Sequence, residues 1–241
     1  FSADNNTSSE IIFPLIADAI SSQSYGNTTY IVNGSMGSST MTTSLFGNPG
    51  GNDAWTGHRA TKAWYGLFGN SAAALASSTD ARAQLFWTTG HSYEMTDYKT
   101  WANGYPSIKF RNTNFTGSSV TTVFSSTDFP LYRLADAYLM YAECAVRGAS
   151  GTSLAQALTY VNDVRTRSGA TALIAGDAGV PFAVNAPASL QVILDERGRE
   201  LNLEGHRRSD LIRFGKFAGG SYLWPWKGGS ATGTSISSDY N

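Results

Sequence analysis

The chain has 241 residues, enough to bury a sizeable core, and its 17 basic and 18 acidic side chains leave a net charge of −1. This balance provides no basic surface for a phosphate backbone, which argues against nucleic acid as a partner. The single cysteine, Cys144, allows no internal disulfide, and His58, His91 and His206 lack metal-binding spacing, so no metal and no cofactor are expected.

The N-terminal sequence does not have the features of a signal peptide. The opening residues, FSADNNTSSEIIF, lack a Met, a basic region and an apolar signal segment, and no apolar run approaches the roughly 18 residues that span a bilayer. We therefore expect a mature protein, or a portion of one that is cut at both ends. Charged residues make up only 15%, against about 25% in an average protein, a composition common among exported proteins.

The first 130 residues are rich in Gly, Ser, Thr, Asn and aromatic side chains, with only short regular segments. Apolar and β-branched residues between turn-forming residues predict short strands at TYIVN, QLFWTT and SIKFRN. Two apolar windows, EIIFPLIADAI and RATKAWYGLF, have the spacing of short helices. The sequence predicts that residues 1–130 form a loop-rich part.

Beyond residue 130 the apolar residues follow a helical period. FPLYRLADAYLMYAECAVRG predicts a helix that begins near Pro130 and stops at Gly148. TSLAQALTYVNDVRTRSG predicts a second helix, with Thr152 or Ser153 as N-cap and Gly169 after its end. Because the connection is short, the two helices should form an antiparallel hairpin like one tetratricopeptide unit.

Two more helices are predicted near the end of the chain. One runs from Ser189 to Glu204 and is closed by Gly205; the other, SDLIRFGK, begins with Ser209 as its N-cap. The predicted fold class is mainly α, with helical hairpins of tetratricopeptide-like type, long loops and a few short strands. We expect residues 131–241 to form this helical part and to share one structural domain with residues 1–130.

The segment from Ile193 to Lys216 concentrates charge in a chain that has little of it. Glu196, Glu200 and Glu204 lie on one helix face among arginines, where they could be acid/base groups or metal ligands. Paired catalytic carboxylates must flank a substrate across a cleft, about 5–10 Å apart, and these are stacked along one helix. We therefore interpret the charges as a structural ionic frame, and we expect Asp136 and Glu143 to pair with arginines of the other helices.

Aromatic residues in the loops are the candidate ligand-binding residues. A sugar ring needs an aromatic face for its C–H groups and amides or hydroxyls for its hydroxyl groups, and both occur around four rings. These candidates are Tyr30, Trp55 in GGNDAWTG, and Tyr98 and Trp101 in TDYKTWANGY. The alternative is that the rings fill a core beneath long loops, which is the interpretation we favour for Trp64 and Trp87.

Several segments, taken together, resemble the C-terminal half of the SusD/RagB family of nutrient-binding outer-membrane lipoproteins of Bacteroidetes. In chain order they are NTSSEIIF, DARAQLFW, YPSIKF, LYRLADAYLMYAECAVRG, AQALTYVNDVRTRSGA and ILDERGRELNLEGHRRSDLIRFGKF. The run from Asp195 to Lys216 is the most specific of them. Gly198 stands where the family usually has a larger, often basic, side chain.

The resemblance implies a mostly helical fold whose long loops build a binding face. Such proteins are attached to the outer membrane at the cell surface by an N-terminal lipidated cysteine, cover a TonB-dependent SusC-like transporter, and deliver oligosaccharides or polysaccharides without cleaving them. Neither the lipid-bearing cysteine nor the N-terminal half of the family is present in this chain. The resemblance implies a non-catalytic glycan-binding protein that is linked to the membrane only through a lipid anchor, which this sequence does not contain.

Two other functions compete with glycan binding. The chain could be an interaction module that contacts only the transporter or binds a peptide. It could also be a hydrolase, if two carboxylates of the loop-rich part, among Asp53, Glu94 and Asp97, converge in a cleft.

Overall fold

The computed structural model describes residues 1–37, 40–41, 54–118, 122–174 and 182–217. The mainly helical fold class is confirmed, because the described residues form seven α-helices and one two-stranded sheet. The helices are α1 (Asn27–Gly34), α2 (Lys62–Tyr65), α3 (Ala72–Ala76), α4 (Leu134–Val146), α5 (Leu154–Arg167), α6 (Pro187–Glu200) and α7 (Arg207–Arg213). The strands are β1 (Ile11–Leu15) and β2 (Phe129–Arg133), and short 3-10 turns lie at Asn5–Thr7 and Ala81–Leu85.

The described residues divide into two compact units that alternate along the chain. Of the described residues, the first unit contains those within 1–65 and 85–132, and the second contains 66–84, 133–174 and 182–217. The division into residues 1–130 and 131–241 within one structural domain stays a prediction.

The second unit is built on the predicted hairpin of α4 and α5. Ser153 caps α5 by accepting a hydrogen bond from the backbone N–H of Gln156 at 3.3 Å. Gly148 and Gly169 each follow a helix with a φ of +79°, the left-handed conformation that ends a helix. Both predicted helix stops are therefore confirmed. The core of this unit consists of Ala135, Leu139, Ala142, Ala145, Val146, Ala157, Val161, Val164, Ile193 and Leu201.

The last two helices differ from their predicted ends. Ser189 lies inside α6, which begins at Pro187, and its hydroxyl accepts from the backbone N–H of Ala183 at 3.1 Å instead of capping the helix. The same helix ends at Glu200, four residues before the predicted end, and turns follow it. The N-cap of α7 is His206, so the prediction of Ser209 was wrong.

Two predictions for the first unit were wrong about the type of structure. TYIVN lies in α1 and not in a strand, because Thr28, Thr29, Val32 and Asn33 are buried there along one face. Tertiary contacts explain the change: the Thr28 hydroxyl donates to the carbonyl of Thr127 at 2.6 Å. EIIFPLIADAI supplies β1, which pairs with β2, and not a helix.

The remaining regular segments of the first unit are shorter than predicted. QLFWTT and SIKFRN form no strand, and their contact is a single bridge between Phe86 and Ser107. RATKAWYGLF forms only the short α2. The Trp64 ring meets Phe86 edge-on at 5.0 Å, which agrees with the packing interpretation of Trp64.

Candidate functional site

Three glutamates of α6 and of the turns that follow it belong to a buried ionic frame. Glu196, Glu200 and Glu204 are at most 4% exposed. Arg133 donates to Glu204 Oε2 at 2.6 Å and to Glu200 Oε1 at 2.8 Å, and Arg82 contacts Glu196 Oε1 at 2.7 Å and Glu200 Oε2 at 2.8 Å. Because arginines occupy these carboxylates and solvent does not reach them, they support the fold, as the sequence predicted.

The acidic residues of α4 belong to the same kind of frame. Asp136 accepts from Arg197 Nη1 at 2.8 Å, and Glu143 accepts from Arg147 and from Arg213, each at 2.8 Å. Burial raises the pKa of Glu143, but the hydrogen bonds from Arg213 and Arg147 outweigh it and hold that pKa below its ordinary value. The predicted pairing of Asp136 and Glu143 with arginines is confirmed.

The carboxylates that would suit a hydrolase are held by their own neighbours. Glu94 accepts from Lys62 Nζ at 2.7 Å, and Asp97 accepts from the Lys99 backbone N–H at 2.9 Å and the Thr100 hydroxyl at 2.8 Å. Asp53 lies outside the described residues. In the described part of the chain, no cluster of three or more His, Cys, Asp or Glu could hold a metal ion, and no helix is long and apolar enough to cross a membrane.

A first aromatic group, defined as Tyr25, Tyr30 and Trp55, lies at the surface of the first unit. The ring centroids of Tyr25 and Tyr30 are 6.2 Å and 6.0 Å from that of Trp55. Tyr25 and Tyr30 are 62% and 53% exposed, and Trp55 is half-buried. Grouped rings of this kind offer faces and edges on which the C–H groups of a sugar can pack.

Backbone hydrogen bonds to the end of α1 fix the segment that carries Trp55. The Trp55 N–H donates to the carbonyl of Asn33 at 3.0 Å, and the N–H groups of Gly57 and His58 both donate to the carbonyl of Gly34. A Cβ at Gly34 would lie 2.4 Å from the His58 ring, so a side chain at this position would force that ring to move. The position of Trp55 is thus determined by the backbone of α1.

A second aromatic group, defined as Tyr98 and Trp101, lies on the loop that follows residue 96. The Arg59 guanidinium lies 5.4 Å from the centre of the Trp101 ring and donates to the carbonyls of Tyr98 and Asn103. His91 meets the same ring edge-on at 5.1 Å. Arg59 therefore organises this group through both the ring and the backbone.

The two groups adjoin each other at Gly37. A Cβ at Gly37 would lie 2.3 Å from Thr56 Cγ2 and 3.0 Å from the Trp101 ring, which places Trp101 close to the residue that follows Trp55. We refer to the two groups together as the aromatic patch. Of the four predicted residues, Tyr30 and Trp55 have neighbouring rings, whereas Tyr98 and Trp101 are linked through Arg59.

Sequence reasoning did not select every residue of this region. Tyr25 is the most exposed ring of the aromatic patch, but only its position in the same loop-rich sequence indicated it. Arg59 carried no sequence signal, because its acceptors lie about 40 residues away along the chain. Tyr105, another aromatic residue of the loops, is fully buried, and its ring centroid lies 4.5 Å from that of Tyr65.

The two histidines beside the aromatic patch are neutral at neutral pH. Burial lowers the pKa of His58, whose ring lies 4.5 Å from that of Tyr30. Burial also lowers the pKa of His91, which the neighbouring Arg59 lowers further, although a hydrogen bond to the Gly104 carbonyl opposes both. The patch is therefore lined by uncharged imidazoles.

Comparison with known proteins assigns the family. The family model described as the SusD family matches residues 77–236. The chain belongs to the SusD family. It is 30% identical, over its whole length, to the starch-binding protein SusD of Bacteroides thetaiotaomicron, of which it covers 48%. A segment covering 35% of the chain is 42% identical to the SusD-like protein P25 of Formosa agariphila and covers 15% of that protein.

Solved structures show the same fold. A SusD superfamily protein from Parabacteroides distasonis matches 94% of the chain with a TM-score of 0.57 and 21% identity, and 45% of that structure is covered. Surface glycan-binding protein A from Bacteroides thetaiotaomicron, in complex with laminarihexaose, matches 96% of the chain with a TM-score of 0.56 and 22% identity, and 48% of it is covered. The chain thus spans less than half the length of the relatives named here.

Proposed function

We propose that this chain binds glycans without cleaving them, and that the aromatic patch is the binding surface. The observation that carries the proposal is the grouping of exposed Tyr25 and Tyr30 around Trp55, whose backbone is fixed by α1. The relatives support the ligand class, since SusD is named for starch binding and a solved neighbour holds laminarihexaose.

The patch suits an uncharged ligand that has both apolar C–H faces and hydroxyl groups. A sugar ring can place its C–H face against an aromatic side chain while its hydroxyl groups remain hydrated or bond to nearby polar groups. Because the Trp55 backbone is already ordered, binding does not have to order that segment. The neutral histidines and the buried ion pairs leave aromatic contact as the main source of affinity, so we expect a modest affinity for an uncharged glycan.

Membership of the SusD family supports a second proposal, on the role of the intact protein in the cell. We propose that the intact protein is a lipid-anchored protein of the outer membrane, exposed at the cell surface, that delivers oligosaccharide or polysaccharide to a TonB-dependent SusC-like transporter. Its relative, surface glycan-binding protein A, carries the surface location in its name. Immunofluorescence of intact cells and co-purification with the transporter are the two measurements that test this role.

Calorimetric titration of the chain with maltohexaose and laminarihexaose tests the binding site. Trp55→Ala and Trp101→Ala should each weaken binding about tenfold, because each removes a stacking face. Phe115→Ala is the matched control, since Phe115 is an aromatic residue of the same unit that is 90% exposed and lies outside the patch. The Phe115→Ala variant should bind both sugars with the affinity of the wild type.

The outcomes separate the competing functions. If both tryptophan variants keep full affinity, the patch is not the site. If the wild type binds neither these sugars nor any member of a glycan array, the protein-interaction alternative gains support. Release of reducing ends during the titration would identify a hydrolase and contradict the proposal.

A further inference from the structure

A cavity in the second unit is separate from the aromatic patch. It has a volume of about 520 Å³, within the roughly 300–1,000 Å³ of small-molecule sites. Its walls come from the end of α4, the first half of α6 and the end of α7. The lining residues are Arg147, Pro187, Ala188, Leu190, Gln191, Leu194, Arg213, Phe214 and Lys216.

The composition of the lining is divided between an apolar wall and basic groups. Pro187, Leu190, Leu194 and Phe214 supply aliphatic and aromatic surface, whereas three of the lining residues are cationic and none is acidic. The guanidinium groups of Arg147 and Arg213 lie 4.9 Å and 5.3 Å from the centre of the Phe214 ring. Charged and apolar surfaces thus meet at one ring.

The two arginines are held in place by groups behind the cavity. Glu143 accepts from Nε of both Arg147 and Arg213, and Asp210 accepts from Arg213 Nη2 at 2.7 Å. These bonds fix the guanidinium planes, yet within the described part of the chain Nη1 of either arginine has no acceptor. Both therefore keep N–H donors for a bound anion.

Lys216 adds a charge that the surrounding carboxylates do not neutralise. It is half-buried, and no carboxylate of the described residues lies within 4.0 Å of its Nζ. Glu143 and Asp210 are already occupied by arginines. The backbone around Lys216 is ordered, since its N–H donates to the Leu211 carbonyl at 2.7 Å and Gly215 makes the left-handed turn before it.

We propose that this cavity binds an amphiphilic carboxylate, a small organic acid with an anionic head and an apolar body. The head would accept hydrogen bonds from Arg147, Arg213 and Lys216, because charge-assisted bonds to a carboxylate are the strongest that these donors form. The body would pack on Leu190, Leu194 and the neighbouring apolar wall, where each buried methylene adds affinity. A ligand with both parts would use the whole lining, and a ligand with only one part would use half of it.

Calorimetric titration with octanoate, 1-octanol and acetate tests both halves of the ligand. Octanoate should bind at millimolar or lower concentration, and 1-octanol, which has the same chain without the charge, should bind at least about tenfold more weakly. Acetate, which lacks the apolar body, should not bind in the same range. Equal binding of octanoate and 1-octanol, or no octanoate binding at about 10 mM, overturns the proposal.

A charge-removing variant locates the site. Lys216→Gln should weaken octanoate binding about tenfold, since it removes a half-buried cation without leaving a carboxylate unpaired. Lys99→Gln, at an exposed lysine of the other unit, is the matched control and should bind octanoate like the wild type. Unchanged octanoate affinity in Lys216→Gln contradicts the assignment. Binding of maltohexaose, measured on the same samples, should be unaffected by Lys216→Gln, so failure here is distinct from failure at the aromatic patch.

Discussion

Arg197 of α6 donates a hydrogen bond from Nη1 to Asp136 of α4 at 2.8 Å, and the same guanidinium donates from Nε to Asp210 of α7 at 2.8 Å. All three side chains are at most 5% exposed. One arginine therefore joins three helices in a region without solvent, where a charge left without its partner is costly. This relationship makes Arg197 a determinant of the fold.

Arg197→Ala should lower the free energy of unfolding by about 3–5 kcal/mol, because it leaves the buried Asp136 without its partner and removes one of the two arginines that bind Asp210. The melting temperature should fall by about 10 °C, measured by circular dichroism. Arg208→Ala is the control: this exposed arginine lies on the Phe217 ring at 4.4 Å, and its loss should cost at most about 1 kcal/mol. Maltohexaose affinity of the folded Arg197→Ala protein should not change; a lost affinity with an intact fold would contradict the structural role.

Gly198 of α6 is closely packed against its neighbours. It is buried, and a Cβ there would lie 2.8 Å from Leu67 Cδ1 and 3.0 Å from the Arg207 guanidinium. Gly198→Arg should therefore lower the free energy of unfolding by about 2–3 kcal/mol in chemical denaturation. Ala155→Arg, at an exposed position of α5, should change it by less than about 0.5 kcal/mol. Equal stability of the two variants would show that the site has room for a side chain.

The helices of the second unit could be predicted from sequence because their signals are local. In α4 and α5 the apolar period, the glycine stops and the Ser153 cap all agree, so local preference and tertiary packing favour the same structure. α1 shows the opposite case. Its β-branched residues Thr28, Thr29 and Val32 favour a strand, and long-range hydrogen bonds of Thr28 and Asn33 stabilise a helix instead.

The sequence could predict which types of residue form the candidate site, but not which of them lie together. An aromatic ring beside Gly and Asn indicates a surface contact, and Tyr30 and Tyr98 are indeed exposed. The grouping of Trp55 with the tyrosines depends on hydrogen bonds between residues 55–58 and the end of α1, across a gap in sequence that no short-range pattern encodes. That these rings bind sugar stays a prediction.

Lowering the pH should decrease the thermal stability of the protein, because His58 is buried beside the aromatic patch. The folded state lowers the pKa of His58 below the 6.5 of an unperturbed imidazole, mainly through burial, so the unfolded chain binds the proton more readily. The contribution of neutral His58 to the free energy of unfolding is therefore fully present above pH 6.5, and it is lost as the pH falls through the pKa of His58 in the folded state. His58→Gln should therefore show a smaller decrease in melting temperature between pH 7 and pH 5 than the wild type, in differential scanning calorimetry. His91, whose pKa shifts in the same direction, remains in that variant, so part of the decrease should persist; identical pH profiles would exclude His58 as a contributor.

Gly34 and Gly57 form a matched pair that tests whether the close approach at the end of α1 positions Trp55. A Cβ at Gly34 would lie 2.4 Å from the His58 ring, whereas a Cβ at Gly57 would meet its nearest neighbour, the Gly34 carbonyl oxygen, at an ordinary 3.6 Å. Gly34→Ala should therefore displace residues 55–58, cost about 1–3 kcal/mol of stability and weaken maltohexaose binding about tenfold. Gly57→Ala should leave both stability and affinity near those of the wild type, because its methyl group makes only ordinary van der Waals contacts. If Gly34→Ala loses stability but keeps its affinity, the backbone of α1 does not set the orientation of Trp55 that the ligand requires.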